Sequence, residues 1–362
     1  MLGACASRAA GTRAVVGDRR LRILTWEDYI DQDGTDAAGE PTLGTQKRFE
    51  QATGTTVEYS DKWDNTGSWN DVLLPTLGVG RSSGWDIVVP TYWVAARMVQ
   101  RGWAEPIPLE AVPNHVNMDP AFLTMGWDRG ARYHVPWQAG ITGIAYNRSA
   151  VGDEKISLKL LFDPRFKGRV GMVDQMRETV ALIMRKQGAD PSRPTVGAAE
   201  DALKTLEDAV SSRQVKLFGP EYKTELEEGK LDVCLAWSGD MYQLGKTRQD
   251  IKFEIPEEGG IRWFDTMVIP KGAENLAAAA KWMNFVYDPD NAARITAGVQ
   301  FNSPVVGVKE ALGRMGPEGV ALAKDPKLFP DAETQRRLYT WGTMDAADED
   351  RLQARFDRLV AR

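Results

Sequence analysis

The chain has few of the residues on which disulfide-stabilised folds and zinc sites depend. Its 362 residues include two cysteines and two histidines, too few for a disulfide framework or a Cys/His metal site. Cys234 lies in an apolar run and is expected to be a small buried hydrophobe. There is no run of about 18 apolar residues, so no membrane-spanning helix is predicted.

An excess of positive charge is also missing. The chain has 45 Lys and Arg against 51 Asp and Glu, a formal net charge of −6. Nucleic-acid binders normally gather Lys and Arg on one surface, so nucleic acid is not a predicted partner, whereas a cationic ligand is permitted. Twelve tryptophans are the unusual count, because indole rings combine apolar area with the ability to hold cations.

Sequence motifs for cofactors and catalysis are absent too. Gly-Val-Gly at residues 78–80 lacks the further Gly, Lys and Ser or Thr of a phosphate loop. His115 and His134 do not have the spacing of metal ligands. We therefore predict no cofactor, no metal ion and no catalytic residue.

Strand and helix signals alternate along two stretches of the chain, which is long enough for two domains. In the first stretch, strands are predicted at 21–25, 56–59 and 86–89, with a helix at 45–52 that Gly54 ends. Further segments are predicted as strands at 140–146, 171–173 and 231–236, helices at 177–186, 198–210 and 275–287, and an extended segment at 261–270. This alternation is typical of an α/β fold.

Aromatic and acidic side chains follow several of these strands directly. They are Trp26, Tyr29, Tyr92, Asp174 and Trp237. In open α/β sheets, ligands bind at the carboxyl ends of the strands, where the loops meet at a crevice. The sequence therefore predicts a cleft lined by aromatic and acidic groups.

Several short motifs occur in one order from about residue 21 to the end of the chain. They are Trp-Glu-Asp-Tyr at 26–29, Phe-Glu-Gln-Ala-Thr-Gly at 49–54, Asp-Ile-Val-Val-Pro at 86–90, Val-Pro-Trp at 135–137, Phe-Lys-Gly at 166–168, Arg-Glu at 177–178, Trp-Ser-Gly-Asp at 237–240, Gly-Gly-Ile-Arg-Trp-Phe-Asp at 259–265 and Phe-Pro-Asp-Ala-Glu-Thr at 329–334. Together they resemble the polyamine-binding branch of the periplasmic substrate-binding proteins that serve ABC importers.

The resemblance implies an α/β, two-lobed, type 2 periplasmic-binding-protein fold. Each lobe would be a mixed sheet flanked by helices, with the ligand in the cleft between the lobes. The expected first lobe is residues 21–136 plus 266–306, and the second is residues 137–265. Residues 307–362 are expected to form C-terminal helices that the resemblance assigns to neither lobe.

The resemblance also implies which residues bind the ligand. The positions that match are Trp26, Tyr29, Tyr92, Glu178, Trp237, Asp240, Trp263 and Asp265. Carboxylates would hold the ammonium groups of a polyamine, and the rings would cover its methylene segments. Further candidates, at positions where the chain departs from the family pattern or could compensate for a departure, are Asp174, Gln175, Phe301 and Trp341.

Three of these carboxylates also have ordinary structural interpretations. Glu178, at the start of a predicted helix, could complement the helix dipole. Asp240 could be the N-cap of a helix that follows it. A buried Asp265 needs a partner, and Arg262 or a backbone cap are alternatives to a ligand cation.

The function that the resemblance implies is capture of spermidine or putrescine by cleft closure and delivery to the permease of an ABC importer. The protein would then be a monomer and not an enzyme. The alternatives are a receptor for another small organic cation or an amino-acid derivative, a carboxylate-based hydrolase, and a sensor or adhesion lipoprotein with the same fold.

Leu-Gly-Ala-Cys at residues 2–5 resembles a bacterial lipobox. Cys5 would then be the lipidated first residue of the mature protein, with residues 6–20 as a flexible tether. The charged and apolar regions of a signal peptide are not found upstream of it. On this interpretation the protein is periplasmic or extracytoplasmic and anchored to the membrane.

Overall fold

The computed structural model describes residues 19–35, 39–245 and 247–361. The predicted lipobox with Cys5, and all but the last two residues of the predicted tether, lie outside these ranges. None of the helices in the described ranges is long and apolar enough to cross a membrane.

Strands and helices alternate along most of the described chain. The strands are β1 Arg20–Leu24, β2 Gly34–Thr35, β3 Pro41–Thr42, β4 Thr56–Ser60, β5 Ile87–Val88, β6 Val135–Asn147, β7 Val170–Val173, β8 Val215–Phe218, β9 Val233–Trp237, β10 Ile251–Glu254, β11 Gly260–Met267 and β12 Leu338–Tyr339. The helices are α1 Thr45–Thr53, α2 Asn65–Ser68, α3 Leu74–Thr76, α4 Tyr92–Gln100, α5 Arg148–Val151, α6 Met176–Lys186, α7 Val196–Ser211, α8 Tyr222–Glu227, α9 Ser238–Leu244, α10 Leu276–Val286, α11 Pro289–Val299, α12 Val308–Gly313, α13 Pro317–Ala323, α14 Ala332–Arg336 and α15 Ala346–Val360.

The first sheet contains the N-terminal strands in the order β4-β1-β5, and both pairings are parallel. Parallel strands are normally buried on both faces, and Leu21, Ile23 and Ile87 of this sheet are almost completely buried. The helix α1 connects β1 to β4 and ends at Gly54, whose φ of 66° is left-handed. Glycine adopts this conformation without steric cost, so the predicted helix stop is confirmed.

The second sheet is larger and mixed. Its order is β12-β11-β6-β9-β7-β8, with β10 also pairing with β6. Strands β7, β8 and β9 are parallel to one another, whereas β6 is antiparallel to β9, β10 and β11. The described residues therefore form two main sheets and the short antiparallel pair β2-β3, with helices around them, as the α/β prediction required.

The paired strands β6 and β11 connect the two sheets. Strand β11 pairs with β6. The residue that follows it, Val268, forms an antiparallel bridge with Val88 of β5 in the first sheet. The backbone N–H of Thr266 donates to the carbonyl of Pro90 at 2.9 Å. The register of β6 and β11 shifts between Asp265 and Thr266, a bulge of the kind that redirects side chains near functional sites.

The C-terminal helices pack on different parts of the molecule. The helix α12 contacts α11 and α13, whereas α15 contacts α7 and β8 of the second sheet. Two ion pairs fix α15 to α7, between Arg355 and Glu207 at 2.6 Å and between Arg351 and Glu200 at 3.2 Å. The last helix therefore lies on the side of the second sheet.

Candidate functional site

A cavity of about 450 Å³ lies where the carboxyl ends of the two groups of parallel strands meet. Loops after β1, β4 and β5 border it from the first sheet, and loops after β7, β8 and β9 border it from the second. The lining residues are Trp26, Glu27, Asp28, Tyr29, Asp61, Trp63, Asp64, Thr91, Asp174, Gln175, Glu178, Pro220, Lys223, Trp237, Asp240, Gln243, Trp263, Asp265 and Phe301. Most of the predicted ligand positions are therefore brought together in one cavity.

Asp265 is a buried carboxyl, with 3% of its surface exposed. It lies on β11 at the bulge, and its Oδ2 accepts a hydrogen bond from the hydroxyl of Tyr29. Its Oδ1 is buried and accepts no hydrogen bond from the described residues. The predicted alternative partner, Arg262, forms no ion pair with Asp265 among the salt bridges of the described residues.

Glu178 lies in the first turn of α6 and lines the same cavity. Its Oε2 accepts hydrogen bonds from the Thr142 hydroxyl and from the indole Nε1 of Trp237, the latter at 2.8 Å. These donors fix the carboxyl in place. A helix start favours a negative charge, so both the structural and the ligand-binding interpretation of Glu178 are compatible with its position.

The pKa values of these two carboxyls both lie near neutral pH. Burial raises the pKa of Asp265 to about 7, and the nearby hydroxyl groups of Thr91 and Tyr29 oppose this rise. Burial also raises the pKa of Glu178 to about 7, against the effect of its Thr142 and Trp237 donors, and the charges of Asp265 and Asp174 add to the rise. Burial disfavours a carboxylate without a cationic partner, so a cation in the cavity would stabilise both.

Asp240 has donors of its own. Its Oδ2 accepts a hydrogen bond from the Tyr222 hydroxyl at 2.6 Å, and Lys223 Nζ lies 3.5 Å from Oδ1. Burial raises the pKa of Asp240, whereas the charge of Lys223 lowers it. Asp240 is in the first turn of α9, whose N-cap residue is Trp237, so the predicted capping role of Asp240 is wrong: the helix starts earlier, at Ser238.

Aromatic rings form the walls of the cavity. Tyr29 lies between Trp26 and Phe301, with ring centroids 6.3 and 5.1 Å away. Trp263 meets the edge of Phe301 at 6.0 Å, and the Nε1 atoms of Trp26 and Trp263 are buried without an acceptor. Trp237 contacts Tyr222 at 5.6 Å. Flat apolar walls therefore surround the acidic groups.

The other predicted residues have different positions. Asp174 and Gln175 line the cavity and are hydrogen-bonded to each other, from Gln175 Nε2 to Asp174 Oδ1 at 3.0 Å. Tyr92 does not line the main cavity but an adjoining space of about 350 Å³ that extends toward α15. Trp341 is buried beside that helix, where its Nε1 donates to Glu349 Oε1 at 3.1 Å, and it lines neither space.

Several residues of the cavity were not predicted as candidates. Glu27 and Asp28 belong to the first motif, and Asp28 has a left-handed backbone with φ 56°, which Asp tolerates better than most residues. Lys223 follows β8, a strand that was not predicted from the sequence. Trp93 lines the adjoining space, where the Arg177 guanidinium carbon lies 3.6 Å from its ring centroid.

In residues 19–35, 39–245 and 247–361, no group of three or more His, Cys, Asp and Glu side chains could hold a metal ion. Cys234, the cysteine of these ranges, is buried, so the prediction of a buried hydrophobe is confirmed.

A glycine on β6 makes room for Trp263. Gly140 pairs with Trp263 across the two strands, and a Cβ at Gly140 would lie 2.2 Å from Cζ2 of the indole. We expect Gly140→Ala to lower the free energy of unfolding by about 1–3 kcal/mol, the usual cost of overpacking. Chemical denaturation measures this change.

Gly197→Ala is the matched control for this substitution. Gly197 is in the first turn of α7, and a Cβ there has open space, so the same change should stabilise the protein by up to about 1 kcal/mol. If Gly140→Ala were as stable as the parent chain, the indole of Trp263 would not be held against β6.

Two sheets joined by a shared pair of strands, with a cavity at the carboxyl ends of both sets of parallel strands, are the arrangement of a two-lobed binding protein. The model of the family described as bacterial extracellular solute-binding protein matches residues 83–323. The chain therefore belongs to this family, whose members bind solutes for transporters.

Two periplasmic binding proteins are similar to this chain over most of their length. The spermidine/putrescine-binding periplasmic protein of Escherichia coli (strain K12) is 28% identical over 339 residues, which cover 91% of this chain and 89% of that protein. A putrescine-binding periplasmic protein of Pseudomonas aeruginosa (strain UCBPP-PA14) is 28% identical over 363 residues, covering 94% and 92%. Both relatives are periplasmic proteins by name.

Solved structures agree on the fold. A putative spermidine/putrescine ABC transporter protein from Listeria monocytogenes has a TM-score of 0.78 at 24% identity, covering 94% of this chain and 98% of that one. A lipoprotein of Treponema pallidum has a TM-score of 0.76 at 21% identity, covering 95% and 100%. The predicted type 2 periplasmic-binding-protein fold is therefore confirmed.

Proposed function

We propose that this chain is the substrate-binding component of an ABC importer and that it captures a linear polyamine of the spermidine or putrescine type. The observation that carries the proposal is the pair Glu178 and Asp265 in an aromatic cavity. Both carboxyls have pKa values raised by burial, and no ion pair joins either of them to Lys, Arg or His in the described ranges. A cationic ligand supplies the missing partner.

The cavity fits the two chemical parts of such a ligand. Each protonated amine donates charge-assisted hydrogen bonds, and we assign these to Asp265 Oδ1 and to Glu178. The methylene segments between the amines pack against rings, for which we assign Trp26, Trp237 and Trp263. An ammonium group over an indole contributes a further ~0.5 to 2 kcal/mol.

Closure of two lobes on the ligand is the motion that we assign to this receptor. We keep residues 21–136 plus 266–306 as the first lobe and residues 137–265 as the second. Asp265 lies at the bulge where β11 passes from one sheet to the other, so a ligand bound there contacts the hinge as well as both walls. A ligand drives closure to the extent that it binds the closed state more tightly than the open state.

The partners follow from the same role. We propose that the closed, ligand-bound monomer docks on permease subunits in the membrane, as the transporter names of the similar proteins suggest. Lipidation at Cys5 would keep the receptor at that membrane, and a Treponema pallidum protein of the same fold is a lipoprotein.

A hydrolase that uses two of these carboxyls is the less favoured alternative. Oε2 of Glu178 already accepts two hydrogen bonds from the chain, and the family is one of solute-binding proteins. A receptor returns its ligand unchanged, so recovery of intact ligand after incubation separates the two functions.

A calorimetric panel of putrescine, cadaverine, spermidine and spermine tests the proposal. We expect at least one amine to bind and to raise the melting temperature, since a ligand at one hundred times its dissociation constant stabilises the folded state by about 2.7 kcal/mol. 1,4-Butanediol is the matched neutral control, with the length of putrescine and no charge. Equal heats for the amines and the diol would refute a polyamine receptor.

A further inference from the structure

Asp240 differs from Glu178 and Asp265 because it has a cationic partner within the chain itself. Lys223 Nζ lies 3.5 Å from its Oδ1, and the Tyr222 hydroxyl donates to its Oδ2 at 2.6 Å. Asp265, in contrast, has a buried Oδ1 with no donor of hydrogen-bond geometry. Of these three carboxyls, Asp240 is the one that pairs with an ammonium group of the described chain.

The position of Lys223 is set by its neighbour in α8. Tyr222 is completely buried, and its hydroxyl both donates to Asp240 and accepts from the backbone N–H of Trp237 at 3.0 Å. This anchor fixes the start of α8 next to α9. Lys223 therefore remains beside Asp240 and lines the cavity with 36% of its side chain exposed.

We propose that Lys223 is a specificity-determining residue that occupies Asp240 in place of a ligand amine and so favours ligands with two ammonium groups over ligands with three. This inference rests on the proposed polyamine function. A diamine can satisfy Glu178 and Asp265, neither of which forms an ion pair with Lys, Arg or His in the described ranges. A third ammonium group that reaches Asp240 meets a like charge, which disfavours the longer ligand.

Removal of the Lys223 charge should reverse this preference. Lys223→Met keeps a long unbranched side chain and leaves Asp240 with the Tyr222 hydroxyl alone. Spermidine can then donate its third ammonium to Asp240, and one charge-assisted hydrogen bond corresponds to about a tenfold gain in affinity. Putrescine does not reach the additional site and gains less.

The experiment is isothermal titration of the parent chain, Lys223→Met and Lys223→Gln with putrescine and with spermidine. We expect the ratio of spermidine to putrescine affinity to rise about tenfold in both variants. The control is Lys230→Met, which removes the same charge from a lysine paired with Glu225 and Glu228 outside the cavity. It should leave the ratio at the parent value.

A second substitution assigns any gain to Asp240. In Lys223→Met combined with Asp240→Asn, the spermidine gain should disappear, because the carboxylate that accepts the third ammonium is gone. A ratio that stays within threefold of the parent in both Lys223 variants would overturn the inference while polyamine binding stands. A parent chain that binds neither amine would instead refute the proposed function.

Discussion

Asp265→Asn is expected to weaken polyamine binding by about thirtyfold or more without destabilising the ligand-free protein. The loss follows because truncating one partner of a buried charge pair costs about 2 to 5 kcal/mol. The apo fold should keep its stability because the carboxyl is buried with one oxygen lacking a donor. A neutral amide does not carry the desolvation cost that raises the pKa of Asp265.

Titration calorimetry and thermal unfolding of the same preparation measure the two effects. Asp290→Asn is the matched control, since Asp290 forms an exposed ion pair with Arg314 and does not line the cavity. The control should change affinity by less than twofold. A melting temperature of the Asp265 variant well below the parent value would mean that the carboxyl has a structural role, and undiminished affinity would remove it from the site.

The strand-end rule explains why much of the cavity could be predicted from the sequence. Parallel strands are short, apolar and followed by loops, so Trp26 and Tyr29 after β1, Asp174 after β7 and Trp237 at the end of β9 were recognisable. Strand β6 was predicted from Gly140 but begins at Val135. Its first residues were not assigned because a proline interrupts the strand pattern.

Contacts between distant parts of the chain could not be predicted in this way. Lys223 follows β8, a strand of four residues with two buried positions, whose signal is too short to recognise. Its pairing with Asp240 depends on α8 and α9 packing together. Trp341 was proposed from its place in the sequence, but its position beside Glu349 is set by the docking of α15, which no local pattern specifies.

Polyamine affinity is expected to rise with pH between pH 6 and pH 8. The pKa of Asp265 and that of Glu178 are both about 7 in the ligand-free protein, so near pH 6 only about one carboxyl in ten of each kind is ionised. The ligand amines remain protonated over this range, and binding requires the carboxylates. If both are needed, affinity should fall about a hundredfold from pH 8 to pH 6.

The stability of the ligand-free protein should change in the opposite direction. The folded pKa of Asp265 is above its usual value of 3.8, and that of Glu178 is above 4.5. In the folded state these groups therefore hold protons that the unfolded chain releases. Their contribution to stability is complete below about pH 4 and is lost as the pH rises through about 7.

Calorimetry in buffers of different ionisation heat tests this coupling directly. Each carboxyl that ionises on binding releases a proton, so binding at pH 6 should release more than one proton and binding at pH 8.5 almost none. Asp265→Asn should retain only the contribution of Glu178, which is about a tenfold change in affinity over the same pH range. A parent affinity that does not vary with pH would mean that both acids are already charged in the empty cleft, stabilised by groups other than the ligand.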